Sequence, residues 1–459
     1  MAGSRVQSRT GGRPASSGVI PGDFALSVGR PEKSAPPGWH WTALSDVARL
    51  ETGHTPSRRH PEYWGGDVPW IGIKDATENH GCTISHTLQQ TNELGIANSS
   101  ARILPAKTVC LSRTASVGYV VVMGKPMATS QDFVNWVCSD AIDYRFLKYV
   151  LLAEQAAFMR FASGTTHQTI YFPEVKAFHV CLPPLPEQRS IANILGTLDD
   201  KIELNRRMSE TLEAMARALY KSWFMDFDPV RAKAEGRDPG LPKAVADLFP
   251  ARLVDSQLGE IPEGWEVRNL DELARFLNGL ALQKYPPSDG RSLPVIKIAQ
   301  LRAGNTDGAD LASADLLADY IVEDGDVLFS WSGSLECVLW AGGRGALNQH
   351  LFKVTSARYP KWFCYLGVHH HLNDFRHIAA GKATTMGHIQ RHHLSDAKLV
   401  VPPKQLLRAM DAVMGPLIES TWRRQVQSRT LAAVRDVLLP KLISGELRVK
   451  GAERIGEID

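Results

Sequence analysis

The sequence has no paired cysteines. Its six (Cys82, Cys110, Cys138, Cys181, Cys337, Cys364) lie far apart and never as CxxC, which argues against a thiolate zinc site or a disulfide framework and leaves reduced thiols as the expectation. Long apolar runs are missing too. None approaches about 18 residues, and the arginines near the start are not followed by an apolar block of the signal-peptide kind, so a cytoplasmic location is expected. A large excess of either charge is missing, with 52 Lys and Arg against 49 Asp and Glu. Residues 1–34 carry Arg5, Arg9, Arg13, Arg30 and Lys33 against Asp23 and Glu32, which accounts for the whole net charge of +3 and leaves the rest neutral. Any surface for a polyanion must therefore come from segregated charge rather than from an excess of it.

Catalytic signatures are absent as well. An adenine methyltransferase would carry Asn or Asp before a double proline and an aromatic residue, whereas the double prolines here read Leu182-Pro183-Pro184-Leu185 and Val401-Pro402-Pro403-Lys404. There is no glycine-rich loop for a nucleoside cofactor, and Gly381-Lys382 is followed by Ala383 rather than the Ser or Thr of a phosphate-binding loop. Glu174-Val175-Lys176 fits half of a metal-dependent nuclease site but has no identifiable acidic partner upstream, and Pro173-Glu174 more simply opens a helix. His369, His370, His371, His377, His388, His392 and His393 show no metal-ligand spacing on one clear helix and read as surface histidines. No cofactor and no metal are expected.

What is present is a duplication. The 459 residues, 44% hydrophobic and 22% charged, suffice for two or three globular domains. Prolines 183, 184 and 186 followed by Glu187 mark a helix start, and Ile191, Leu195, Leu198, Ile202, Leu212, Ala216, Leu219 and Trp223 form a heptad-like seam. Met410, Met414, Leu417, Leu431 and Leu438 repeat five of these positions 219 residues later. The rest of the chain echoes in order. Pro37-Gly38-Trp39 matches Glu263-Gly264-Trp265, each before a helix expected to be capped by Ser45 or Asp271; Val68 to Ile73 matches Leu293 to Ile298. Thr108 to Ser112 matches Asp326 to Ser330, Ala128 to Phe133 matches Ala346 to Leu351, and Thr166 to Ile170 matches Thr385 to Ile389. Each half is expected to hold one mixed module of strands and helices followed by one long helix.

Leu182-Pro183-Pro184-Leu185-Pro186-Glu187-Gln188, Asp226-Phe227-Asp228-Pro229-Val230-Arg231-Ala232-Lys233, Gly259-Glu260-Ile261-Pro262-Glu263-Gly264-Trp265 and the closing segment Leu438 to Leu447 together resemble the DNA-specificity (S) subunit of type I restriction-modification enzymes. The resemblance spans about residues 36–450 and is carried by helices and connector more than by the modules. It implies an α+β fold in which two pseudo-symmetric target-recognition domains, each reading half of a split asymmetric DNA site, are separated by two long antiparallel helices. The expected division is a disordered tail over 1–35, modules over 36–182 and 263–401, long helices over 183–227 and 402–448, a connector over 228–262 and a tail over 449–459.

The same resemblance implies a non-catalytic subunit working with double-stranded DNA, a methyltransferase subunit in two copies and a motor-nuclease restriction subunit. S-adenosylmethionine would belong to the methyltransferase, and ATP with Mg to the motor. Met208, Met215 and Trp422, beside the helical seam, are expected to be covered by methyltransferase protomers. The alternative is a single-chain DNA methyltransferase or nuclease with its own catalytic site, which needs motifs this chain lacks. A duplicated scaffold for protein partners is a third reading.

Residue chemistry suggests where DNA contacts would lie, because cationic and amide side chains read base edges and hold phosphates. In the first module these are Arg58, Arg59, Lys74, Arg113, Thr165, Thr166, His167 and Gln168; in the second, Lys297, Gln300, Gln349, Lys382, Thr384, Thr385 and His388. The loops 165–168 and 384–387 fall at equivalent points before the double prolines, so both are expected at the same edge of their modules.

Overall fold

The structure is a computed structural model that describes residues 18–164, 168–287, 290–381 and 387–449. The chain divides into two compact units, Met1–Asp199 with Ala433–Asp459 and Asp200–Ala432.

In the first unit a five-stranded sheet forms from Ala48–Thr52, Phe133–Cys138, Val109–Ser112, Val120–Met123 and Thr83–Ile84 in that order. Its central strands are almost wholly buried, as their Val, Leu and Phe content demands. Helix Tyr144–Ala153, capped by the Asp143 carboxylate, packs its apolar face on this sheet. A smaller sheet pairs Trp64–Ile71 in parallel with Ala128–Thr129 and antiparallel with Gln89–Thr91.

The tail expected over 1–35 is corrected from residue 18 onward. Ile20–Pro21 and Leu26–Val28 form strands, and Leu26–Val28 lies antiparallel to Phe178–Leu182, whose other edge takes His40–Ala43. Composition concealed this because an anchor lies far away in sequence. The fully buried Glu154 carboxylate accepts the backbone N–H groups of Asp23, Phe24, Ala25 and Leu26 at 2.6–3.0 Å. Residues 1–17 lie outside the described range.

The second unit repeats the plan with four strands in its main sheet. Arg275–Asn278, Leu351–Thr355, Val327–Ser330 and Cys337–Leu339 form its main sheet, and Ser292–Ile296 pairs in parallel with Gly345–Leu347 in the smaller one. Glu266–Asn269 pairs with Lys398–Val401, repeating the pairing of His40–Ala43 with Phe178–Leu182. The connector folds onto this unit: Phe227, Val230, Phe249 and Ile261 join its core.

The long helices run over Leu185–Phe224 and Lys404–Ile443, 40 residues each, about 60 Å at the helical rise. Both fall short of their expected ends. Phe227 takes a left-handed backbone conformation after the first, and Gly445 turns the chain after the second. The turn brings the Arg448 guanidinium onto the Glu187 carboxylate at 2.7 and 2.9 Å, where Trp39 Nε1 also donates. The proline-rich start is thereby fixed to the first unit, and the Gln188 side-chain amide donates a hydrogen bond to the Pro183 carbonyl at 3.0 Å. No side chain caps the short helices Leu44–Val47 and Leu270–Leu273, so Ser45 and Asp271 do not act as expected; Asp271 accepts the Ser395 hydroxyl instead.

The helices are antiparallel within each unit. In the first, Arg435 Nη1 donates to Asp199, and Ile191 and Leu195 share a core with Leu442 and Ile443. In the second, Asn205 donates to Gln427, Ser209 donates to the Thr421 carbonyl, and Ala216 shares a core with Met410, Met414 and Ile418. The apolar seam has a polar centre: between Ile202 and Leu212 the buried positions are Asn205 and Ser209. Such groups fix register where an all-aliphatic seam would slide. Trp422 is not left uncovered, since it packs on the second unit's core beside Gly325 and Lys361.

Candidate nucleic-acid interface

At one edge of each module four chain segments meet on the same backbone frame. The His54 N–H donates to the Thr129 carbonyl at 2.9 Å, and the Leu280 N–H donates to the Leu347 carbonyl at 3.0 Å. The Arg113 N–H donates to Asp132 and the Trp331 N–H to His350, at 2.7 and 3.3 Å. The Ile170 and Ile389 N–H groups reach the Arg113 and Trp331 carbonyls at 2.9 and 3.0 Å. Ser112 and Ser330 each close a turn by donating a hydroxyl to the carbonyl four residues on, Ser116 and Ser334. Two glycines permit the close approach. A Cβ at Gly53 would lie 1.9 Å from the Ser130 carbonyl oxygen, and one at Gly279 would lie 2.2 Å from that of Asn348.

The side chains on this frame differ between the modules. In the first, Arg113 lies over the Phe172 ring at 4.5 Å and donates to the Gln131 carbonyl at 3.2 Å, with its Nε buried and, among the described residues, unpartnered. Burial lowers the basicity of this guanidinium, against the opposing pull of Asp132 and Tyr171. Asp132 is held by the hydroxyls of Thr114 at 2.6 Å and Ser130 at 2.9 Å, and Thr55 donates to the Gln131 side chain. In the second module Trp331 stands where Arg113 does, its Nε1 donating to Asn278 Oδ1 at 2.9 Å and the Gln349 carbonyl at 3.0 Å. His350 stands where Asp132 does, with Nδ1 3.0 Å from the Ser332 hydroxyl. The two rims share geometry and differ in chemistry.

The structure brings several expected residues to these rims and places others elsewhere. Arg113, Gln349 and His388 lie on the frame, His388 in a bridge with Ser332. Gln168 donates to the Gly164 carbonyl at 2.8 Å, closing its loop. Arg58 stacks on Trp64, and Arg59 lies beside it, exposed. Lys74 lies on helix Ile73–Glu78 and pairs with Glu78 at 3.7 Å. Lys297 pairs with Asp310, and Gln300 accepts the Lys297 backbone N–H at 3.3 Å, as Asp75 accepts that of Gly72 at 2.9 Å. Gln300 therefore closes a helix start. Thr165, Thr166, His167, Lys382, Thr384 and Thr385 lie outside the described residues.

Sequence reasoning missed Gln131, Asp132, Trp64, Trp70 and Gln89. Gln131 had a signal, because Gln349 is its counterpart in the repeat Ala128 to Phe133 against Ala346 to Leu351. The histidines are not all surface groups: burial pulls His369 down to about 4, and His371 Nε2 lies 3.0 Å from the Lys398 carbonyl. Among the described residues, no group of three or more His, Cys, Asp or Glu could hold a metal ion.

Residues 36–214 and 262–409 match the family described as the type I restriction modification DNA specificity domain. The chain belongs to this family. The specificity subunit is 27% identical over 434 residues to the type I restriction enzyme MjaIX specificity subunit of Methanocaldococcus jannaschii, covering 90% of this chain and 95% of that one. It is 25% identical over 342 residues to the HindI specificity subunit of Haemophilus influenzae, covering 62% of this chain and 72% of that one. Its fold is similar to the crystal structure of a type I restriction-modification S subunit from M. genitalium, with a TM-score of 0.56 at 15% identity over 88% of this chain and 96% of that one. Membership makes the chain a DNA-recognition subunit without a catalytic site of its own. No described helix is long and apolar enough to cross a membrane.

Proposed function

We propose that this specificity subunit recognises a bipartite, asymmetric DNA site, one half at the polar rim of each module, and directs adenine methylation and restriction by partner subunits in the cytoplasm. The observation that carries the proposal is the duplicated frame with unlike occupants. Equal frames present side chains in the same way to two stretches of duplex, while Arg113 and Asp132 against Trp331 and His350 offer different donor and acceptor patterns. A site read this way has two unlike halves. Two 40-residue helices of fixed register suit a spacer between half-sites, much as protein geometry sets half-site spacing in dimeric readers.

The partners under this reading are double-stranded DNA, a methyltransferase subunit in two copies that binds S-adenosylmethionine, and a motor-nuclease subunit that uses ATP and Mg. Leu204 and Met215, each 49% exposed on the first long helix, offer apolar area to the methyltransferase. The test is a module exchange read by methylome sequencing in cells that also express the methyltransferase. Replacing residues 18–180 by the corresponding part of another specificity subunit should change one half-site and keep the other half and the gap. The exchange must begin at 18, because Glu154 anchors residues 23–26, which lead into the strand Leu26–Val28. Alteration of both halves would refute the modular account.

A further inference from the structure

Building on the reading of the first module as a DNA reader, we infer that Arg58 is its guanine-reading residue, presented as an oriented fork by Trp64, Trp70 and Gln89. Arg58 lies in the loop between strands Ala48–Thr52 and Trp64–Ile71, with its guanidinium carbon 3.8 Å from the Trp64 ring centroid and 5.1 Å from that of Trp70. The indoles meet edge to face with centroids 5.1 Å apart. Each is tied to the loop: Trp70 Nε1 donates to the His54 carbonyl at 3.1 Å and Trp64 Nε1 to the Ser57 carbonyl at 3.4 Å.

Gln89 Oε1 accepts from Arg58 Nη2 at 2.7 Å, which sets the rotation of the guanidinium without neutralising it. Among the described residues Arg58 has no carboxylate partner, although it is exposed. The arrangement suits base reading better than a bare charge. A planar fork whose rotamer is already fixed loses little entropy on binding, and its paired donors match the O6 and N7 acceptors of guanine in the major groove. Adenine sets a donor beside N7 and would leave one N–H facing another. Among the described residues the second module shows no such device: the internal repeat puts Lys284 at the position of Arg58 and Val295 at that of Trp70. The reader therefore serves one half-site only.

Selection from a pool of randomised duplexes by the full chain, at two salt concentrations, tests the assignment. The wild type should yield two half-sites. Arg58→Lys keeps the charge but not the fork, so discrimination at one guanine of one half-site should fall by about 5- to 150-fold, with the salt dependence unchanged. Gln89→Ala should weaken the same preference by less. The untouched half-site reports on folding in each variant. A consensus indifferent to Arg58→Lys overturns the assignment alone. So does Arg58→Ala weakening all sequences alike and lowering the salt slope by about 1, since that marks a phosphate contact. A wild type that selects no split consensus overturns the modular reading and this assignment with it.

Discussion

Replacing Glu154 by Ala should release the strand that the first module borrows from the start of the chain. The carboxylate has no exposed surface and accepts four successive backbone N–H groups, those of Asp23, Phe24, Ala25 and Leu26, at 2.6, 2.8, 2.7 and 3.0 Å. An N–H left buried without an acceptor costs about 1–3 kcal/mol, and four cannot be satisfied at once by the small cavity an alanine leaves. The strand has little else of comparable strength. Leu26 and Val28, 1% and 2% exposed, contribute about 1.5–3 kcal/mol each against the entropy of ordering the segment. The loss is therefore bounded by detachment of the segment, and about 3–5 kcal/mol is expected. Glu154→Gln keeps one acceptor oxygen but turns an amide NH2 toward the remaining donors, for a loss of about 1–2 kcal/mol. Hydrogen exchange of the peptide spanning residues 20–30 is the suitable assay, because the opening is local. Exchange should quicken by about two to four orders of magnitude in Glu154→Ala, with the helix Tyr144–Ala153 still protected. Protection within tenfold of the wild type would refute the anchor.

Two further predictions concern the helices and the frame. Arg429 forks onto Asp324 at 2.9 and 2.7 Å and ties the second long helix to the second module, so Arg429→Ala should destabilise that unit by about 1–2 kcal/mol in urea titration. The same guanidinium holds the Asp324 carboxyl below the ordinary aspartate range. A lowered folded pKa means the contribution is present above the unfolded value and disappears as the pH falls through the folded one, so the variant should lose less stability on acidification than the wild type. Gly53→Ala and Gly279→Ala would push a methyl group into the Ser130 and Asn348 backbone, and each should degrade one half-site in a selection experiment while sparing the other. Equal loss in both halves would show that the frames are not independent.

The helices and the repeat were legible in the sequence because their determinants are local and periodic. Pro183, Pro184 and Pro186 with Glu187 mark a helix start wherever they occur, and a seam spaced by threes and fours keeps its meaning without knowledge of the partner. The spacing could not show the polar centre, since Asn205 and Ser209 look like solvent-facing residues until Gln427 and the Thr421 carbonyl are found opposite them. The same limit hid the first strands. Residues 20–28 read as a tail because the group that orders them, Glu154, lies about 130 residues away on a helix whose pattern gives no hint of four amides.

At the rims the limit is sharper and has a functional reason. Framework residues such as Gly53 and Gly279 or Ser112 and Ser330 recur because one backbone geometry must be built twice. Under the proposed reading the residues between them are under the opposite demand, since two unlike half-sites need unlike side chains, and Arg113 against Trp331 shares neither size nor charge. A search for matching polar residues therefore favours scaffold. Gln300 qualified by type but closes a helix start, while Trp64 and Trp70 were passed over because cationic and amide side chains were the ones sought. On the proposed reading, specificity in a duplicated reader is carried by positions where the repeat fails inside a frame where it holds, and those mismatches can be picked out once the folded frame is known.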